Sequence, residues 1–167
     1  MEKIGVILTV AVLILTPVGM IAADRHFASG EPADVTFTLT GVSDGGVWTE
    51  EAVVGHNYWR RTPKPARLVA RAGQKVRIRL QSADVTHGFS IPDLDVGPIL
   101  IEPGHVVEAV FTPEEPGEYL FQCTTRCGKC HEEMLGSLVV LGEGETLENY
   151  PGGLIKPRTK CLLHGRS

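Results

Sequence analysis

The sequence predicts an all-β domain, a Greek-key sandwich or barrel, preceded by one N-terminal transmembrane helix. Three observations carry that expectation. Short runs of β-type residues recur from Asp34 to Leu141, several of them alternating apolar and polar positions as half-buried strands do. Turn-forming clusters separate the runs, and no helical period, internal repeat or low-complexity tract interrupts them. Finally, Ile4 to Ala23 is free of charge and about as long as a helix needs to cross the hydrocarbon of a bilayer.

The runs are VTFTLTGV from Val35, EAVVGHNYW from Glu51, ARLVARAG from Ala66, KVRIRLQS from Lys75, HVVEAVF from His105, GEYLFQC from Gly117 and GSLVVL from Gly136. Val76-Arg77-Ile78-Arg79-Leu80 alternates most clearly. Arg71 to Gln74, Glu102 to Gly104 and Pro113 to Gly117 supply the turns. After Leu141 the composition shifts to Gly, Pro and charge, poor material for a core. The expected organisation is an anchor and linker over residues 1–30, a β domain over 31–142 and a loosely packed tail over 143–167.

The apolar run lacks the short hydrophobic region and small-x-small cleavage site of a secretory signal, so it reads as a retained anchor. That places the β domain in the periplasm or extracellular space. A length of 167 residues suits one globular domain. With a net charge of -4 and scattered Lys and Arg, the chain offers no field for nucleic acid. Three of the four cysteines crowd between Cys123 and Cys130, which favours metal or haem chemistry over a disulfide framework.

That crowd belongs to Cys123-Thr-Thr-Arg-Cys127-Gly-Lys-Cys130-His131-Glu-Glu-Met134, a loop between two expected strands. Thiolate, imidazole and thioether are donors that copper prefers, and a loop held at both ends limits their motion between oxidation states. His87, in Asp84-Val-Thr-His-Gly-Phe-Ser just past the Val76 to Gln81 strand, adds an upstream donor, as in a cupredoxin layout. A mononuclear blue-copper site needs one thiolate; here a second stands four residues away, which suits two coppers.

C-x3-C-x3-H-x2-M downstream of D-V-x-H-G-F resembles the binuclear copper domain of cytochrome c oxidase subunit II, and also that of nitrous oxide reductase. The likeness runs over roughly Ala52 to Val140. It implies a cupredoxin-like fold in which Cys123 and Cys127 bridge two copper ions, His87 and His131 bind one each, Met134 is a weak ligand, and Thr125 offers its backbone carbonyl. The family carries Glu at the position of Thr125, so the carboxylate it uses for a nearby magnesium is missing. Its Trp-rich stretch, which admits electrons from cytochrome c, is shortened to Gly55-His-Asn-Tyr-Trp59, leaving Trp59 as the candidate electron gate beside the plainer reading of core packing.

The same loop also spells Cys127-Gly-Lys-Cys130-His131, the C-x-x-C-H of covalent haem c attachment. Haem and the copper pair cannot share Cys127 and His131, and haem leaves Cys123, His87 and Met134 unexplained. Cys130 is otherwise a buried small hydrophobe. Cys161 and His164 in the tail receive no role, the cysteine being an unpaired thiol or a bridge to Cys130.

The function so implied is an electron-transfer subunit of a haem-copper terminal oxidase or related reductase. It would relay single electrons from a cytochrome c-type donor to a catalytic subunit, with no bond-making chemistry of its own. Asp93, Asp95, Glu132 and Glu133 would steer a basic donor. A free-standing membrane-tethered carrier, a copper-delivery protein and a haem c protein are the alternatives.

Overall fold

The computed structural model describes residues 32–53 and 63–152. The chain divides between Pro32 and Ala33, and the described elements belong to the second unit. They are β1 (Val35–Val42), β2 (Val47–Thr49), β3 (Arg67–Arg71), β4 (Val76–Ser82), β5 (His87–Ile91), β6 (Val96–Ile101), β7 (Val106–Phe111), β8 (Gly117–Gln122) and β9 (Leu135–Leu141), with 3-10 turns at Pro92–Leu94, His131–Glu133 and Leu147–Asn149. The domain is all β, as the alternation requires.

The strands form one curled sheet in the order β6-β5-β8-β9-β2-β1-β4-β7, with β3 also paired to β9. β6 and β7, the two ends of that order, lie against each other, giving the cupredoxin-like barrel. β1 runs parallel to β4, β3 parallel to β9, and β8 antiparallel to β9.

The inward positions make the core. Leu39, Trp48, Ile78, Leu80, Phe89, Phe121 and Leu138 are completely buried, and burial of each such side chain is worth ~1.5–3 kcal/mol. The Phe89 and Phe121 rings lie 5.4 Å apart, and Trp48 meets Phe89 edge-on at 5.5 Å. Phe121 faces Gly136 across the β8–β9 ladder, and its ring occupies the space where a side chain at that glycine would stand.

Three strands escaped the reading of the sequence: β2, which is only three residues long and wholly buried, β5 and β6. β5 is buried at all five positions, so it has no polar beat to read. β6 carries Gly97 and Pro98, residues that usually break a strand. His87 therefore opens a strand instead of following one. Of the run expected from Glu51 to Trp59, Glu51–Val53 is not strand and the remainder lies outside the described residues. The anchor at 4–23, Trp59, Cys161 and His164 also lie outside them. Among the described residues no helix is long and apolar enough to cross a membrane.

The start of the tail is fastened to the domain. Glu145 accepts hydrogen bonds from the Gly142 N–H and the Tyr150 hydroxyl at 2.7 and 2.9 Å, and Arg67 donates to the Tyr150 carbonyl at 2.6 Å. Arg67 also pairs with Glu118, which accepts from the buried Ser137 hydroxyl at 2.8 Å.

Substituting Gly136→Ala should cost ~1–3 kcal/mol, the usual penalty for overpacking, because the new Cβ would overlap the Phe121 ring. Denaturant unfolding of the two proteins measures it. An unchanged midpoint would show that the ring moves aside freely.

Candidate metal centre

β8 ends at Gln122 opposite Leu135, the first residue of β9, so the segment 123–134 leaves and rejoins the sheet at neighbouring points. The Cys123 N–H donates to the Met134 carbonyl at 3.1 Å and closes it. The Thr124 N–H donates to the Gly88 carbonyl at 3.1 Å, fastening the loop to β5 as well. Gly88 is required there: a Cβ would come within 3.0 Å of the Thr125 nitrogen. Within the loop, the His131 N–H reaches the Gly128 carbonyl at 3.4 Å and the Met134 N–H reaches the His131 carbonyl at 3.1 Å, forming the 3-10 turn that carries His131.

These constraints bring the sequence-derived donors together. The Cys123 and Cys127 sulfurs lie 3.7 Å apart. Cys123 Sγ is 3.9 Å from His87 Nδ1 and 3.2 Å from the Thr125 carbonyl oxygen. Cys127 Sγ is 3.7 Å from His131 Nδ1 and 3.7 Å from Met134 Sδ. Each sulfur therefore has one imidazole nitrogen and one weaker donor beside it. The ligand atoms of His87, Cys123 and Cys127 all lie within 4.8 Å of one another, close enough to share a metal ion. His87 and Met134 are fully buried, Cys123 and Cys127 nearly so, and His131 is partly exposed.

Burial shapes the charge at this site. It opposes ionisation of Cys123, yet hydrogen bonds from His87, from the backbone and from His131 outweigh it and hold that thiol below the ordinary cysteine range. Burial and the adjacent Cys123 thiolate push Cys127 up. For His87, burial favours the neutral ring, but Asp84 and Cys123 together outweigh it and raise its pKa to about 9. The two shifts run in opposite senses, favouring the protonated ring at His87 and the ionised sulfur at Cys123.

Asp84 belongs to the D-V-x-H-G-F motif, which by itself assigns it no role. Its Oδ1 accepts from His87 Nε2–H at 2.9 Å, which leaves Nδ1 facing the sulfur. Asp84 also accepts from the Val85 N–H and from the Ser43 N–H and hydroxyl, at 2.7, 2.7 and 2.6 Å. These bonds hold its pKa well below the usual carboxylate range against the opposing effect of burial. Trp48 packs on the other side of the imidazole, its ring 5.6 Å from that of His87. Neither Ser43 nor Trp48 carries a sequence signal, because both lie far from the donor motif.

Cys130 is buried and disulfide-bonded, its partner lying outside the described residues. A thioether to haem requires that sulfur free, so the C-x-x-C-H reading conflicts with this structure. Cys123 and Cys127 are free thiols, as metal donors must be.

Residues 45–141, more than half of the chain, match the family model of the cytochrome c oxidase subunit II periplasmic domain. Two curated proteins of Thermus thermophilus, both named cytochrome c oxidase subunit 2, are 31% identical over 77 residues. The match covers 46% of this chain and 56% and 45% of theirs. The chain thus spans about half the length of the curated relatives it matches. Among solved structures, the periplasmic domain of subunit II of cytochrome oxidase from Bradyrhizobium japonicum aligns with a TM-score of 0.48 at 22% identity, covering 72% of this chain and 90% of that one.

Two measurements on metal-free protein check the electrostatics. At pH 7 an alkylating reagent should modify Cys123 ahead of Cys127, although both are 8% exposed, because only Cys123 is substantially thiolate; peptide mass spectrometry reads the order, and the reverse order would contradict it. Asp84→Asn should cost ~2 kcal/mol at neutral pH, the scale of a hydrogen bond to a charged group. A carboxyl with a depressed folded pKa stabilises the fold fully above its unfolded value of 3.8 and loses that contribution as pH falls. The stability gap between wild type and variant should therefore narrow below that pH.

Proposed function

Because the chain belongs to the family of cytochrome c oxidase subunit II periplasmic domains, we propose that it is the electron-transfer subunit of a haem-copper terminal oxidase or related reductase. It would receive single electrons from a cytochrome c-type donor at a binuclear copper centre and pass them to a catalytic subunit. The observation that carries the reading is the paired arrangement of donors: two cysteine sulfurs 3.7 Å apart, each with its own histidine nitrogen and its own weak donor. Thiolate, imidazole and thioether are a copper set, and a single blue-copper ion would leave the second cysteine without work.

In this reading the copper pair would be held by the Cys123 and Cys127 sulfurs and by the His87 and His131 imidazoles, with Met134 beside Cys127 and the Thr125 carbonyl beside Cys123 as weaker donors. Bound there, the copper pair supplies reversible one-electron exchange. The protein's part is to hold the donors still and dry. Loading requires the Cys127 thiol to lose its proton and His87 to give up its Nδ1 proton, so uptake releases protons and weakens in acid. Thr125 keeps a backbone carbonyl but lacks the carboxylate that the family uses for magnesium at that position.

Exposed acidic side chains lie near the donor loop, which itself also exposes Arg126 and Lys129. Asp93 and Asp95, in and just after the turn that follows β5, and Glu132, next to His131, are exposed. With a net charge of -4 they would steer a basic donor toward the loop. The expected setting is the periplasmic face of the membrane, anchored through residues 4–23.

Metal analysis should find two copper ions per chain, with purple absorbance and a multi-line mixed-valence copper resonance. Cys127→Ser should abolish that signal, whereas Cys130→Ser should spare it, since Cys130 is no ligand. A Soret band with pyridine-haemochrome lines, lost in both variants, would overturn the reading in favour of haem. A colourless copper(I) protein would point to copper delivery.

A further inference from the structure

The turn joining β1 to β2 lies outside the donor set, and all of β1 precedes the residues that match the family model. Yet this turn touches the supports of both histidines. Ser43 donates through its backbone N–H and its hydroxyl to Asp84 Oδ2, 41 residues away, while Asp84 Oδ1 receives His87 Nε2–H. A serine whose task was only to form the turn would spend its hydroxyl on the local backbone. Here the turn closes without it, through the Gly46 N–H and the Ser43 carbonyl at 3.1 Å.

Three residues on, Gly46 adopts a φ of +57° and sits directly against Cys130. A Cβ at Gly46 would overlap the Cys130 carbonyl and come within 2.7 Å of its Cβ. Cys130 is the residue before His131. A turn alone explains the positive φ; it does not explain the close approach to the donor loop. Trp48 on β2 completes the contact by packing on the His87 ring.

We propose that the Ser43–Gly46 turn is the outer brace of the metal centre: Ser43 is a positioning residue that orients His87 through Asp84, and Gly46 seats the Cys130–His131 peptide. The assignment of the two histidines as donors rests on the function proposed above; the brace itself is a property of the metal-free chain.

The test uses the full chain in detergent, without metal, and reads proton NMR contacts between the His87 and Trp48 rings. Wild type and Ser43→Thr should give the same ring-to-ring cross-peak, while Ser43→Ala should weaken it at least twofold and shift the His87 ring resonances. The isosteric pair Ser43→Thr and Ser43→Val, differing only by the hydroxyl, makes the same comparison at constant volume. Gly46→Ala should instead shift His131 and leave His87 in place. A wild-type His87–Trp48 cross-peak in both Ser43→Ala and Ser43→Val would overturn the brace, whichever metal the chain binds. Failure to bind two coppers would overturn the proposed function and leave the NMR result standing.

Discussion

The hydrogen bond from the Cys123 N–H to the Met134 carbonyl is the constraint on which the centre depends. It joins the first and last donors of the loop where β8 and β9 are already paired. The ladder therefore fixes both ends of the segment, and the residues between have little freedom beyond their own 3-10 turn. The second fastening, from Thr124 to Gly88, brings β5 alongside and with it His87. A donor set built this way owes its geometry to strand register, and a redox centre gains from that because its ligands move little when charge changes.

The electrostatics follow from the same burial. A thiol and an imidazole sealed from water would each stay neutral if alone. Placed together, with Asp84 behind the imidazole, they form a charged chain from Ser43 to Cys123 in which each member supports the next. Burial and the neighbouring Cys123 sulfur push the Cys127 pKa the other way, upward.

Much of this was legible in the sequence. Strands β1, β3, β4 and β7 to β9 lie within the runs of β-type residues that turn clusters bound; β3 alternates buried and less buried positions, whereas β9, buried at six of its seven positions, was legible from its apolar run alone. That His87, Cys123, Cys127, His131 and Met134 would lie together could be read because soft side chains at such fixed spacing seldom gather by chance. β5 could not be read, since a strand buried on both sides shows no alternation. Ser43 and Trp48 were invisible for a different reason. The part Ser43 plays comes from chain folding that brings it to Asp84 across 41 residues of sequence, and that of Trp48 from ring packing; neither leaves a motif. Cys130, which the sequence left between a buried thiol, a haem anchor and a disulfide, is disulfide-bonded in the structure.

The sheet shapes the donor loop through its own hydrogen bonds. Amide hydrogen exchange of Cys123 and Thr124 in the metal-free chain tests it most directly, because those two N–H groups close the loop onto β9 and β5. The account predicts protection comparable to that of the β8 amides, with little change when copper is added. Exchange at the rate of an open chain, slowed only by copper, would mean that the metal orders the loop and would contradict it.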